Sequence, residues 1–312
     1  MTNLLERRSL VERLRPRVSV EEHFAKTGRK YRHKSFLFRH ERLFVRPVLK
    51  LALQSFGLYR AGLQNALRPQ VCTLPLTYAN LPRSFDGFRI LHLSDLHIDQ
   101  VDGLVEAVGA ILEDLSVDLC VLTGDYRFED FGPCEEVYRR MRALVSKISS
   151  RHGIYGILGN HDVSEIAYAL EDMGVRMLIN DAAEISERID SIWVVGVDDP
   201  FDFQTDDLPA AISATVPASF KVLLAHSPDL YREAAVQGID LYLCGHTHGG
   251  QIRFPVIGSL RHNSDCPKEY SYGYWRVENM QGYTSPGVGS SGVPVRFNCP
   301  AEIVLIELRR AE

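Results

Sequence analysis

Cysteine is scarce in this chain of 312 residues, and its six copies (Cys72, Cys120, Cys134, Cys244, Cys266 and Cys299) form no CxxC pair. That spacing makes neither a disulfide framework nor a zinc ribbon. Cys120 and Cys244 lie inside apolar runs and read as small core residues, and all six are expected to be reduced thiols. Long hydrophobic runs are also missing: nowhere do 18 apolar residues follow one another, so no spanning helix is expected. The first residues carry Glu6, Arg7, Arg8, Glu12, Arg13, Arg15 and Arg17 in place of an apolar stretch. Neither a secretory leader nor an acid-poor transit peptide fits them, and a cytoplasmic location is expected. There is no repeat of fixed period and no long low-complexity tract. What is present, 45% hydrophobic and 24% charged residues, is ordinary for a globular chain with a real core.

Charge is unevenly spread under a net value of −5. Residues 1–70 hold 16 Lys and Arg against 5 Asp and Glu, and the remainder holds 19 against 35. A basic arm on an acidic body calls for an anionic partner, unless the arm packs on the body itself. Residues 1–69 read as a basic amphipathic helical extension. Val48, Leu49, Ala52, Leu53, Phe56, Tyr59 and Leu63 fall at helical spacing, and Pro47 sets a helix start. Before it, Phe36-Leu37-Phe38 and Leu43-Phe44-Val45 are interleaved with Arg39, Arg42 and Arg46. Aromatic and aliphatic residues mixed with Arg and Lys suit the surface of an anionic membrane, reached from its inner face. A helix that only covers the domain has the same periodicity. A nucleic-acid partner fits less well, since the segment is richer in apolar residues than a helix that reads a groove.

From residue 70 the pattern changes. Phe88–Leu93, Leu119–Leu122, Ile154–Leu158, Ile192–Val197, Phe220–Ala225 and Leu241–Cys244 are apolar runs, each followed by polar residues. Helical stretches at 102–115, 133–150, 163–173 and 228–237 lie between several of them, and strands recur in the tail at Tyr270–Trp275, Met280–Thr284 and Glu302–Leu308. The alternation predicts an α/β body over residues 70–312. Ligands in such folds gather at the carboxyl ends of strands, where nearly all the polar clusters fall.

Those clusters are Asp95-Leu96-His97, Gly124-Asp125, Gly159-Asn160-His161-Asp162, His226 and Gly245-His246-Thr247-His248. In two of them a pair of metal ligands stands at i and i+2, which on extended backbone would project to one side. Carboxylate and imidazole together suit Mn, Fe, Zn or a similar divalent ion. A lone histidine in an apolar strand is more often a satisfied core residue, and His92 is read that way.

The five clusters in this order resemble the calcineurin-like metallophosphoesterase superfamily over roughly residues 85–310, with no ligand position missing. The resemblance implies two β-sheets packed face to face with helices outside, and two divalent metal ions (Mn, Fe, Zn or Mg). Asp95, His97 and His248 would bind one ion and Asn160, His226 and His246 the other, with Asp125 as the bridge. His161 would be the catalytic histidine and Asp162 the acid that orients it. Two ions clamp an in-line displacement at phosphorus, and water between them is deprotonated near neutral pH. The expected reaction is hydrolysis of a phosphodiester, pyrophosphate or monoester in a phosphorylated small molecule or lipid-linked substrate, with a general phosphodiesterase or phosphatase, a nuclease, or a non-catalytic scaffold of the same fold as the alternatives. The stretches Gly245–Gln251 and Gly287–Phe297 are similar to a bacterial branch of cell-wall-associated phosphoesterases and UDP-2,3-diacylglucosamine hydrolases. Some members of that branch carry a helical lid between the metal motifs; Asp162 to His226 has no obvious one, which leaves the N-terminal helices as the candidate cover. Arg296 is a candidate phosphate or sugar contact, since a guanidinium matches phosphate geometry, with a structural role as the alternative.

Overall fold

A computed structural model describes residues 9–27, 44–255, 258–259 and 264–312; Phe36, Leu37, Phe38, Arg39, Arg42 and Leu43 lie outside them. Helices α1 (Leu10–Thr27), α2 (Arg46–Ser55) and α3 (Leu58–Ala66) lead into β1 (Gln70–Tyr78), β2 (Arg89–Leu93), α4 (Leu104–Leu112), β3 (Leu119–Leu122), α5 (Glu135–Val145), β4 (Ile154–Gly156), α6 (Ser164–Asp172) and β5 (Val175–Met177). The second half runs β6 (Asp181–Glu187), β7 (Asp190–Gly196), α7 (Leu208–Ile212), β8 (Lys221–Leu224), α8 (Tyr231–Val236), β9 (Leu241–Cys244), β10 (Gly273–Val277), β11 (Met280–Thr284) and β12 (Glu302–Arg310).

The strands form two six-stranded sheets, ordered β1-β12-β2-β3-β4-β5 and β10-β11-β9-β8-β7-β6. β2, β3, β4 and β5 are mutually parallel, as are β7, β8, β9 and β11. Short runs such as Leu119–Leu122 and Leu241–Cys244 are buried throughout, as interior parallel strands covered on both faces must be. Ile90, Val121 and Ile306 of one sheet meet Val194, Val222 and Leu243 of the other in a shared central core. A second cluster packs α4, α5 and α6 on the outer face of the first sheet, and a third packs α7 and α8 on the second. The result is the expected four-layer sandwich. β1, β5 and β6 were not anticipated from the sequence, and the run beginning at Ile154 leaves the sheet after Gly156.

The N-terminal segment differs more from expectation. The apolar periodicity over Val48–Leu63 belongs to two helices, broken at Phe56–Gly57 where Gly57 turns left-handed with φ +69°. α1 is built into the body. Leu14 has no exposed surface and joins the core of Leu91, Leu93 and Leu96. Arg13 pairs with Asp181 at 2.9 Å, and Phe24 packs at a tilt against Phe203 with ring centroids 5.5 Å apart. If Leu14 is a core residue of this fold, Leu14→Ala should cost about 2–5 kcal/mol in urea unfolding, as buried leucines do. A loss under about 0.5 kcal/mol, the surface value, would mean that α1 only lies against the body.

Candidate metal centre

The carboxyl ends of five parallel strands point at one place. Two residues beyond β2 stands Asp95, three beyond β3 stands Asp125, and four beyond β4 stands Asn160; His226 and His246 each follow by two the last residue of β8 and β9. Donor atoms of Asp95, His97 and His248 lie within 4.8 Å of one another, and so do those of Asp125, His226 and His246. All six residues are buried.

The pairs at i and i+2 converge for another reason than the one expected. Their backbone is not extended: Asp95, His97, Asp125, His246 and His248 take left-handed conformations, with φ between 37° and 69°. Left-handed backbone costs a residue with a side chain about 1–2 kcal/mol, so the surrounding structure must hold each one in place. Gly245 shows how tight that surrounding is, since a Cβ there would lie 2.0 Å from both Asp95 Oδ2 and Ser94 Oγ.

Hydrogen bonds on the far side of His97, His226 and Asn160 fix the direction of their lone pairs. His97 donates Nδ1–H to the carbonyl of Arg127 (2.7 Å), which turns the bare Nε2 toward His248 Nε2 at 3.2 Å. His226 likewise donates Nδ1–H to the carbonyl of Thr123 (2.8 Å). Its Nε2 then faces Asn160 Oδ1 at 3.0 Å and His246 Nδ1 at 3.3 Å. Asn160 gives its amide protons to Asp202 (2.8 Å), leaving Oδ1 aimed inward. Facing acceptors at these distances fit shared cations, and such outer partners are how proteins fix imidazole ligands. The electrostatics agree. Burial alone would depress His226, but Asp125, Asp95 and Asp199 outweigh it and push its pKa up to about 10, so the carboxylates here demand positive charge. Burial likewise opposes ionisation of Asp125, and the imidazoles of His226 and His161 hold it well below the usual carboxylate range.

Asp125 links the two groups. Its Oδ2 stands 3.3 Å from His226 Nε2 and 3.6 Å from His97 Nε2, while Oδ1 accepts the backbone N–H of His161 at 2.8 Å. His246 also spans both: its ring faces His226, and its backbone N–H donates to Asp95.

Two sequence expectations need correction. Asp162 does not orient His161. Its carboxylate accepts the backbone N–H groups of Asp125, Tyr126 and Gly159 at 2.8–2.9 Å, and so joins the two metal loops. The partners of His161 Nδ1 are the carbonyl of Phe128 at 2.7 Å and the carboxylate of Asp130 at 3.3 Å. Arg296 is not placed for substrate. It has no exposed surface, and its guanidinium donates to the carbonyls of Pro286, Gly287, Gly289, Cys299 and Pro300. The loop it holds donates from Val288 and Gly289 to the carbonyls of Ser94 and Asp95. His92 is the core residue it was read to be, with Nε2 2.8 Å from Thr123 Oγ1 and burial pushing its pKa down to about 3.

Sequence reading missed several supporting residues. Asp199 accepts the N–H groups of Phe201, Asp202 and Phe203, shaping the turn that brings Asp202 to Asn160 and Phe201 against His246. The Asp198-Asp199-Pro200 cluster after an apolar run was the available signal. Arg17, fully buried in α1, had none. It pairs with Asp198 and donates to the carbonyls of Gly159 and Asp162, at 2.5 and 2.7 Å, on the loop that carries Asn160 and His161. Glu21, one turn on, accepts the N–H and the hydroxyl of Ser164, both at 2.7 Å.

Fold and site together define a two-sheet α/β domain with two buried groups of candidate metal ligands at its strand ends. The family model for calcineurin-like phosphoesterases matches residues 88–250, and the chain belongs to that family. A transmembrane protein with metallophosphoesterase domain from Bos taurus is 31% identical over 300 residues, covering 88% of this chain and 65% of its own length. The chain thus spans just under two thirds of that relative. Phosphodiesterase YaeI of Escherichia coli is 30% identical, covering 71% of this chain and 82% of its own, and metallophosphoesterase YkuE of Bacillus subtilis is 28% identical, covering 73% and 82%.

Arg296→Lys tests the structural role of the buried guanidinium. An ammonium has three donors for five carbonyls, and each buried carbonyl left without one costs about 1–3 kcal/mol. Urea unfolding should show a loss of that order or more, with KM for a soluble diester close to wild type. A raised KM at unchanged stability would return Arg296 to the substrate.

Proposed function

We propose that the chain is a dinuclear metal-dependent phosphohydrolase acting on a phosphodiester, pyrophosphate or monoester. The observation that carries this reading is Asp125 Oδ2, within 3.6 Å of imidazole nitrogens from both ligand groups. Asp95, His97 and His248 would hold one divalent ion and Asn160, His226 and His246 the other, with Asp125 shared. The donors suit Mn, Fe, Zn or Mg. Two such ions would neutralise charge building on phosphorus and supply an activated water. The protein's own residues do the rest. The Nδ1–H of His161 is committed to Phe128, so Nε2 is the nitrogen that can give a proton to the leaving oxygen. Asp130, beside Nδ1, stabilises the protonated ring. Residues 70–312 form the catalytic domain in this reading, and 1–69 an extension that braces its metal loops.

The finer reading of substrate is a lipid-linked phosphate ester, of which UDP-2,3-diacylglucosamine is one type, met at the inner face of the membrane. It is supported by the basic apolar extension and by relatives whose names call them transmembrane proteins. No helix among the described residues is long and apolar enough to cross a membrane.

Metal analysis and kinetics on variants test the mechanism. Asp125→Ala and His246→Ala should abolish metal-dependent turnover of a chromogenic diester and lower bound metal. His161→Ala should lower kcat by about 10²–10⁴, the usual worth of a positioned acid, with metal content unchanged. Normal turnover after loss of a ligand would overturn the scheme.

A further inference from the structure

α2 presents its apolar side outward. Val45, Val48, Leu51 and Phe56 fall within one broad arc of the helix and its ends, and they are 55%, 64%, 64% and 79% exposed. Leu49, Ala52 and Leu53, on the adjoining arc, are half-buried. A helix covering a water-soluble body normally turns its whole apolar stripe to the core, whereas α2 leaves part of its stripe in water. Leu58, 47% exposed, continues the patch past the break at Gly57.

The charges around this face have one sign. From Phe44 to Phe85 there is no Asp or Glu, while Arg46, Lys50, Arg60 and Arg68 stand in the same stretch. Among the described residues neither Lys50 nor Arg60 has a carboxylate partner, and Lys50 rests over the ring of Tyr59, 5.6 Å from its centroid. The patch also borders the metal centre. The Arg46 guanidinium, at the start of α2, lies 5.4 Å from the ring centroid of Phe128, whose carbonyl holds His161. On the same loop as Phe128 and Asp130, Phe131 is 57% exposed.

We propose that the outward face of α2, with the corner from Phe56 to Leu58, docks on an anionic lipid bilayer and sets the mouth of the metal centre against the headgroups. Exposed aliphatic and aromatic side chains enter the boundary between headgroups and acyl chains, and flanking cations meet lipid phosphate, each contributing about fivefold in affinity. A second copy of the chain fits less well. A two-fold contact would oppose this basic surface to itself, and one helix of 10 residues offers less than the roughly 800 Å² per partner of a stable interface. The docking face stands on exposure and charge alone. Its consequence for substrate, a phosphate ester drawn from the membrane plane, rests on the hydrolase reading above.

The experiment is sedimentation of the full chain with vesicles of phosphatidylcholine containing phosphatidylglycerol, and with vesicles of phosphatidylcholine alone. Wild type should pellet with the anionic vesicles, and high salt should weaken that binding. The double variant Leu51→Glu/Phe56→Glu should bind them at least about tenfold less while turning over a soluble chromogenic diester like wild type, which also reports that it is folded. The proposal is overturned if wild type stays in the supernatant with both vesicles, or if the double variant pellets as wild type does. It is equally overturned if wild type is a dimer that the substitutions split. Absence of diester turnover in wild type would count against the hydrolase reading and leave the vesicle result intact.

Discussion

Facing lone pairs in a buried space are the constraint on which this structure depends. His97 Nε2, bare because Nδ1 gives its proton to Arg127, stands 3.2 Å from His248 Nε2 and would drift from it without something between or behind the rings. Behind them are the carbonyls of Arg127 and Thr123 and the carboxylate of Asp202, which take the protons on the far side of His97, His226 and Asn160. The cavity therefore presents acceptors inward by construction. Burial makes that arrangement costly for any occupant except a cation, because unpaired acceptors out of water are destabilising by themselves.

Holding the ligands there calls for left-handed backbone at five of them, and the rest of the fold offsets that strain. Asp95 and His97 donate their backbone N–H groups to the carbonyls of Gly124 and Asp125, so the turn after β2 is tied to the turn after β3. Asp162 ties the turn after β3 to the turn after β4. Arg296 gathers the loop between Pro286 and Pro300, which in turn bonds to Ser94 and Asp95. Asp162 and Arg296 are buried ionisable groups hydrogen-bonded to backbone, a type of group that is destabilising when it loses a partner rather than stabilising by its mere presence.

Much of the site was legible because each ligand follows a short apolar run, often beside a glycine, and the parallel sheets needed those runs to be strands. The layers were legible for the same reason. What escaped was whatever depends on direction or on distant partners. Asp162 stands next to His161 in sequence, yet its side chain turns to backbone N–H groups that have no sequence signature. Arg296 sits in a loop that looks exposed, but its five acceptors come from two stretches of that loop folded back on one another. Arg17 meets Gly159 and Asp198, 142 and 181 residues away, and a basic helix is silent about such contacts. β1 was missed although its burial alternates, because Pro75 interrupts it, which suits an edge strand paired with β12 alone.

The charge asymmetry between the two parts of the chain now divides into separate uses. α1 spends its arginines on the acidic body: Arg13 on Asp181, Arg17 on Asp198 and on the carbonyls behind Asn160. Burial opposes the charge of Arg17, and Asp198, Asp199, Glu21 and Asp162 together outweigh it, so this cation is held by the domain. α2 and α3 keep Lys50 and Arg60 for the outside while gripping the other metal loop. Gly62 lies so close to that loop that a Cβ would stand 2.7 Å from Val295 and Phe297, and its carbonyl accepts the N–H of Arg296 at 3.0 Å. The loop so gripped bonds to Asp95, one of the first group of ligands. The segment that carries the outward apolar face is therefore joined through packed backbone to the metal centre. A force applied to α2 at a surface would be transmitted to the ligands rather than absorbed by a slack linker, because close-packed contacts of this kind leave little room to give.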